Sequence, residues 1–235
     1  GAPSVEGINF KAMKGQTIGV IGGTGSGKSS LVNLIPRLYD ATQGEVIVDG
    51  VNVKDYNIET LRNKVGIVMQ KAVLFKGTIR ENMWMGKKGA TDEQIDEALE
   101  ISQSKEFVDS KQGRLDYVIE QGGKNLSGGQ RQRLTISRAI VRKPDVLILD
   151  DSASALDFAT DAALRKAIRE MNNSPTVFIV SQRAASLMYA DLIIVLDDGQ
   201  VAGMGTHDEL LANCEVYKEI YESQFKKADS EGCVA

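Results

Sequence analysis

The sequence predicts an α/β fold with a mainly parallel sheet, an antiparallel β edge and an inserted helical subdomain. Three observations carry this prediction. Short apolar runs alternate with helix-length stretches, the pattern of strand–helix–strand units with right-handed crossovers. A glycine-rich stretch, Gly22 to Gly27, stands between one such run and a following helix. From about Thr78 to Arg142 strand runs give way to helical periodicity.

Thr17 to Ile21 is a short apolar run ending in glycines, which suits a buried parallel strand feeding a loop. Ser30 to Ile35 reads as helix, stopped before Pro36. Glu45 to Val48 alternates and ends at Asp49-Gly50, a turn signal. Val65 to Met69 is another strand, ended by Gln70. Thr91 with Gln94 forms a capping box, and Ile95, Ala98, Leu99 and Ser102 then share a helix face. Strands return at Val146–Leu149, Thr176–Val180 and Leu192–Leu196, with a helix over Ala159–Met171. Asp198-Gly199 turns into an edge strand over Gln200–Ala202, and Thr206 with Glu209 caps a final helical region. Residues Lys226 to Ala235 read as a frayed polar tail.

At 235 residues the chain fits one domain with a subdomain, and 42% hydrophobic content is ample for a core. A net charge of -4 offers no basic surface for nucleic acid. Cys214 and Cys233 are too few for a disulfide framework. No apolar run approaches the roughly 18 residues that span a bilayer, so the chain is read as soluble, with any membrane part outside it.

The glycine-rich stretch matches the P-loop pattern in full: Gly22, Gly23, Thr24, Gly25, Ser26, Gly27, Lys28 and Ser29. Its glycines let backbone N–H groups converge on phosphate oxygens, and the helix opening through Ser30 points its positive end there. Lys28 is expected on the β- and γ-phosphates and Ser29 on Mg²⁺. Val146 to Leu149 buries a strand that delivers Asp150 at its carboxyl end, where such sheets bind ligands. A second phosphate-handling segment, Leu126-Ser127-Gly128-Gly129-Gln130, puts Ser127 at an N-cap and exposes N–H groups of Gly128 and Gly129 at a helix start. Arg131, Arg133 and Arg138 read mostly as a solvated face of that helix.

A P-loop followed downstream by LSGGQ resembles the ATP-binding cassette (ABC) ATPases over nearly the whole chain, Val5 to Phe225. The resemblance implies a RecA-like P-loop core over 1–70 and 144–212, a helical subdomain over 71–143, a C-terminal helix over 213–225 and a tail over 226–235. It implies ATP and Mg²⁺ as ligands, with Ser29, Gln70 and Asp150 toward the metal. It also implies a head-to-tail dimer in which each cassette offers its P-loop to one nucleotide and its LSGGQ, including Gln130, to the other. Gln70 and the following Leu74-Phe75-Lys76-Gly77-Thr78-Ile79-Arg80-Glu81-Asn82 resemble the Q-loop region of exporters, where transmembrane coupling helices dock. Ser154-Ala155-Leu156-Asp157 resembles the D-loop. The implied setting is the cytoplasmic face of a membrane, attached to a transmembrane domain.

The family pattern breaks in four places. Asp151 stands where a water-polarising glutamate is usual, about 1.5 Å shorter in reach. Gln182 stands where a switch histidine is usual, and it carries no titratable proton. The only histidine, His207, lies in a capping box on a later helix, as a first-turn surface residue. Both substitutions weaken the chain's own nucleotide site and leave LSGGQ intact, which resembles the degenerate-site half of a heterodimeric exporter. The adenine-stacking aromatic is missing upstream of Gly22, since Phe10 reads as an inward strand residue, and the chain is read as cut from a longer polypeptide after its membrane domain. Gln121, in Glu120-Gln121-Gly122-Gly123, replaces a usual glutamate. Two other readings stay open: a soluble ABC ATPase of DNA repair or translation, and a nucleotide sensor that never hydrolyses ATP.

Overall fold

The computed structural model of the chain describes residues 4–152 and 155–231, the side chains of 225–231 excepted. Two compact units divide it: residues 1–62 with 176–235, and residues 63–175.

The first unit opens with β1 (Thr17–Gly22), buried at every position. The glycine-rich loop follows, then α1 (Lys28–Asn33). The chain passes into β2 (Ile47–Val48) and β3 (Val51–Asn52), antiparallel with Val48 opposite Val51. The two residues between them, Asp49 and Gly50, have φ of 50° and 78°. Positive φ at both central positions is the hairpin turn whose twist matches paired strands, so the Asp-Gly signal acts as expected. Helix α2 (Ile58–Lys64) leads out of this segment.

In the second unit, β4 (Val65–Val68) precedes β5 (Gly77–Thr78) and four helices, α3 (Ile79–Trp84), α4 (Asp92–Ile101), α5 (Lys105–Asp109) and α6 (Gly128–Ile140). Between α5 and α6 lies β6 (Val118–Ile119), antiparallel to β5. This strand pair corrects the purely helical reading of Thr78–Arg142, because two residues are too few to show a period. The capping box at Thr91 and Gln94 is present, and Ile95, Ala98, Leu99 and Ser102 are buried. Where α4 packs on α6 the contact is partly polar. Ser102, Ser104 and Ser137 are fully buried, with the Ser102 and Ser137 hydroxyls 2.6 Å apart. The unit closes with β7 (Val146–Asp150) and α7 (Phe158–Arg169). β4 runs parallel to β7 with Val68 opposite Leu149.

The first unit resumes with β8 (Thr176–Val180), β9 (Leu192–Asp197) and β10 (Gln200–Gly205). β1 lies between β8 and β9, parallel to both, and β10 is antiparallel to β9. β8 is buried throughout, as a strand covered on both faces must be, whereas β10 alternates exposed and half-buried positions, as an edge does. Helix α8 (His207–Asn213) begins at the Thr206–Glu209 capping box. Helix α9 runs from Glu215 to Glu231, six residues past the expected end at Phe225, through a stretch without Gly or Pro up to Gly232.

Two expectations change near the ends of this unit. Residues 4–11 form no strand; Glu6 N donates to Gly199 O, and Phe10 sets its ring edge-on to Phe178 at 6.2 Å. His207 is half-buried rather than a free surface residue. Its Nδ1 lies 2.8 Å from the hydroxyl of fully buried Tyr217, and its ring lies 5.2 Å from that of Tyr221.

Two stability measurements follow. A Cβ at Gly86 would stand 2.0 Å from the Arg138 carbonyl oxygen, so Gly86→Ala should destabilise the chain by about 1–3 kcal/mol in chemical denaturation. Burial, reinforced by Tyr221, pushes the Tyr217 phenol up to about 12 from an ordinary 10. A raised folded-state value means that the protonated form stabilises the fold below pH about 10 and that this contribution disappears as pH rises toward 12. Denaturation midpoints over that window should fall less steeply in Tyr217→Phe than in the parent chain.

Candidate functional site

In the first unit, the register of β1 against β8 sets the site. Val20 is opposite Val180, so the residues two beyond them, Gly22 and Gln182, emerge at neighbouring carboxyl ends. Ligands of parallel α/β sheets bind at that edge. The P-loop leaves β1 there. A Cβ at Gly22 would stand 2.1 Å from Leu196 O and 2.6 Å from Ser26 Oγ, so no larger residue fits. Gly27 has φ of 92° and forms the N-cap of α1 with no side-chain hydrogen bond. A helix start without a side-chain acceptor, preceded by glycines, suits an anionic phosphate. Lys28 is buried, and its Nζ donates to Gly22 O at 2.9 Å and Gly23 O at 2.6 Å, with Ser26 Oγ at 3.4 Å. The ammonium therefore already stands on the loop that would cradle phosphates. Thr24 and Gly25 are exposed at its tip, and Ser29 and Ser30 lie in the first turn of α1.

Gln182 follows Ser181, whose N–H bonds Val20 O and whose hydroxyl accepts from Arg183 N at 2.9 Å. The Gln182 side chain is exposed, which leaves its amide available to an incoming group.

In the second unit the same geometry recurs. With Val68 opposite Leu149, the residues two beyond are Gln70 and Asp151. Gln70 Nε2 donates to Asp151 Oδ2 at 3.0 Å. That bond uses an N–H of the amide, and the carbonyl oxygen Oε1 is the atom that could bind a cation. Asp150 is buried at the end of β7. Asp151 has a left-handed backbone, φ 46°, which Asp tolerates better than most side chains. The metal candidates thus divide: Ser29 belongs to the first unit, and Gln70 and Asp150 to the second.

The LSGGQ segment forms a helix start tighter than the sequence reading foresaw. Ser127 Oγ accepts from Gln130 N at 3.2 Å, and Gln130 Oε1 accepts from Ser127 N at 3.1 Å, a full capping box. The Ser-x-x-Gln spacing gives Gln130 this capping role in addition to the phosphate contact expected of it. Gly128 and Gly129 occupy the first two helical positions, and Gly128 lines a cleft of about 420 Å³ with Gln70, Lys71, Lys124 and Arg131.

The arginines of α6 are corrected from a solvated face to anchors. Arg131 Nη1 donates to Leu126 O at 2.7 Å. Arg133 donates to Gln103 O at 2.8 Å and lies over the Phe107 ring. Arg138 donates to Val73 O at 3.0 Å and lies over Phe75, and burial lowers its pKa from the ordinary guanidinium value. Long side chains with apolar stems cover helix surface while their heads find carbonyls, which composition alone does not reveal. Of the D-loop residues, Ser154 lies outside the described residues. Asp157 caps α7, accepting from Thr160 N at 2.9 Å, a bond that holds its carboxyl below the usual range.

The ABC transporter family profile matches residues 5–154. The chain belongs to that family. It is 45% identical, over 96% of its length, to an uncharacterised ABC transporter ATP-binding protein of Bacillus subtilis, and 42% identical, over 94%, to one of Mycobacterium tuberculosis. It is 39% identical, over 95%, to a putative multidrug export ATP-binding/permease protein of Staphylococcus aureus. The chain spans 38–39% of the length of these relatives. Among solved structures it resembles that of a bacterial Atm1-family ABC exporter with ATP bound: TM-score 0.89, 31% identity, covering 94% of this chain and 39% of that one. No helix among the described residues is long and apolar enough to cross a membrane.

Removing the Ser127 hydroxyl should cost about 0.5–2 kcal/mol of thermal stability, and Ser127→Asp should retain most of it. Circular dichroism melts of both variants check the cap directly.

Proposed function

We propose that this chain is the ATP-binding cassette of a membrane exporter and works as one half of a head-to-tail pair. Its P-loop, Gly22 to Ser29 with Ser30, holds one ATP, and its Ser127–Gln130 segment closes on the ATP held by the other cassette. The carrying observation is the pairing of a glycine cradle that excludes any Cβ at Gly22 with an intact, doubly capped LSGGQ helix start. The likeness to an ATP-bound exporter and to a relative named for multidrug export supports the exporter assignment. Ser29 in the first unit, and Gln70 through Oε1 with Asp150 in the second, are each of the oxygen-donor type that would hold Mg²⁺, which when bound neutralises charge on the transferring phosphoryl group. Lys28 steadies the β- and γ-phosphates, and the other cassette's LSGGQ donates N–H groups to the γ-phosphate during in-line attack by water. Hydrolysis drives the transmembrane domain, which places the cassette on the cytoplasmic face of the membrane.

The chain's own pocket holds ATP and cleaves it slowly. Asp151 is short of a glutamate's reach and is bonded to Gln70, and Gln182 supplies a neutral amide where a histidine would supply a titratable one. A misplacement of about 1 Å in a water-orienting group costs roughly 100-fold in rate. The competent site of the pair is then the one completed by this chain's LSGGQ, with the other P-loop supplied by a different subunit.

Replacing Asp151 by Glu together with Gln182 by His should raise phosphate release by the assembled transporter. An unchanged rate refutes the slow-site assignment. Phosphate release in the presence of the partner, set against nucleotide binding alone, separates an exporter cassette from a sensor, which binds and never turns over.

A further inference from the structure

The loop that carries Gln182 is held from one direction the motifs do not mention. Gln224, on α9, is separated from Gln182 by 42 residues of sequence, yet its terminal amide bonds this loop through both its nitrogen and its oxygen. Its Nε2 donates to Gln182 O at 2.7 Å, and its Oε1 accepts from Ala184 N at 2.9 Å. The two bonds straddle Arg183 and close a ring from one side chain to the main chain on both sides. A primary amide suits this place, because it carries a donor and an acceptor on one planar group. Arg183 N bonds back to Ser181 Oγ, and Ser186 N to Arg183 O, so the segment from Ser181 to Ser186 has a fixed course.

The contrast at Gln182 itself is the key observation. Its carbonyl is pinned, while its exposed side chain makes no hydrogen bond among the described residues. A loop braced in this way aims a side chain without occupying it. From the parallel register, that side chain leaves the sheet edge beside Gly22, the first residue of the P-loop. We infer that Gln224 is a positioning residue for nucleotide recognition: through Gln182 it sets how well the pocket distinguishes ATP from ADP, and it makes the C-terminal helix part of the γ-phosphate sensor. This rests on the proposed ATP site and takes the exposed Gln182 amide, at the position of a switch histidine, as the group that meets the γ-phosphate.

The test uses the full-length polypeptide in its assembled transporter. Photolabelling of this polypeptide by 8-azido-ATP on ice is competed with ATP and, separately, with ADP. Gln224→Met keeps length and apolar packing but loses both bonds; Gln224→Glu keeps the acceptor and loses the donor. Each should weaken ATP about three- to tenfold and leave ADP unchanged, so that the ratio of the two affinities falls. Gln182→Ala should lower the ratio similarly, and Gln182→Ala with Gln224→Met should lower it no further. A merely structural role would weaken both nucleotides alike and lower the melting temperature, which is measured alongside. An equal loss for both nucleotides overturns the inference. So does an unchanged ratio in Gln224→Met while Gln182→Ala lowers it, or full additivity in the double variant. If Gln182→Ala itself leaves the ratio unchanged, the γ-phosphate reading fails first and the inference goes with it.

Discussion

Parallel strand register is the constraint on which the site depends. In a parallel pair, hydrogen bonds fix which residues lie side by side, so the residues just past the carboxyl ends are brought together by arithmetic along the two chains. Val20 against Val180 brings Gly22 and Gln182 to one edge. Val68 against Leu149 brings Gln70 and Asp151 within hydrogen-bond distance of each other, although 81 residues separate them. A slip of one residue would turn every side chain to the opposite face. Complete burial of β1 and β8 opposes such a slip, because each side chain would enter a space already filled to fit another of different volume.

Local chemistry then finishes what register begins. At the P-loop the deciding quantity is space: the carbonyl of Leu196 and the hydroxyl of Ser26 leave room for hydrogen only at Gly22. At the LSGGQ helix it is orphan backbone donors, which Ser127 and Gln130 satisfy for each other. On α6 it is the reach of arginine, which lets Arg131, Arg133 and Arg138 tie a helix to carbonyls of Leu126, Gln103 and Val73.

Much of this was legible in the sequence, for identifiable reasons. Strands such as Thr176–Val180 are contiguous apolar runs bounded by polar residues, and caps such as Thr91 and Thr206 announce themselves by a Gln or Glu three residues on. The P-loop and LSGGQ were legible because both depend on glycine, whose placement is rarely free. What stayed hidden was set by distant partners. Two-residue strands at Gly77–Thr78 and Val118–Ile119 have no period to read. The roles of Tyr217 toward His207, and of Gln224 toward Gln182, require knowing how the last helix packs, and nothing in a stretch such as Glu215–Glu231 declares its contacts.

The reciprocal cap between Ser127 and Gln130 carries a further consequence. Each bond holds the other's partner in place, so losing one loosens both, and the first turn of α6 depends on the two side chains together. The N–H groups of Gly128 and Gly129, between the two capping residues, therefore keep their direction only while both side chains stay in place.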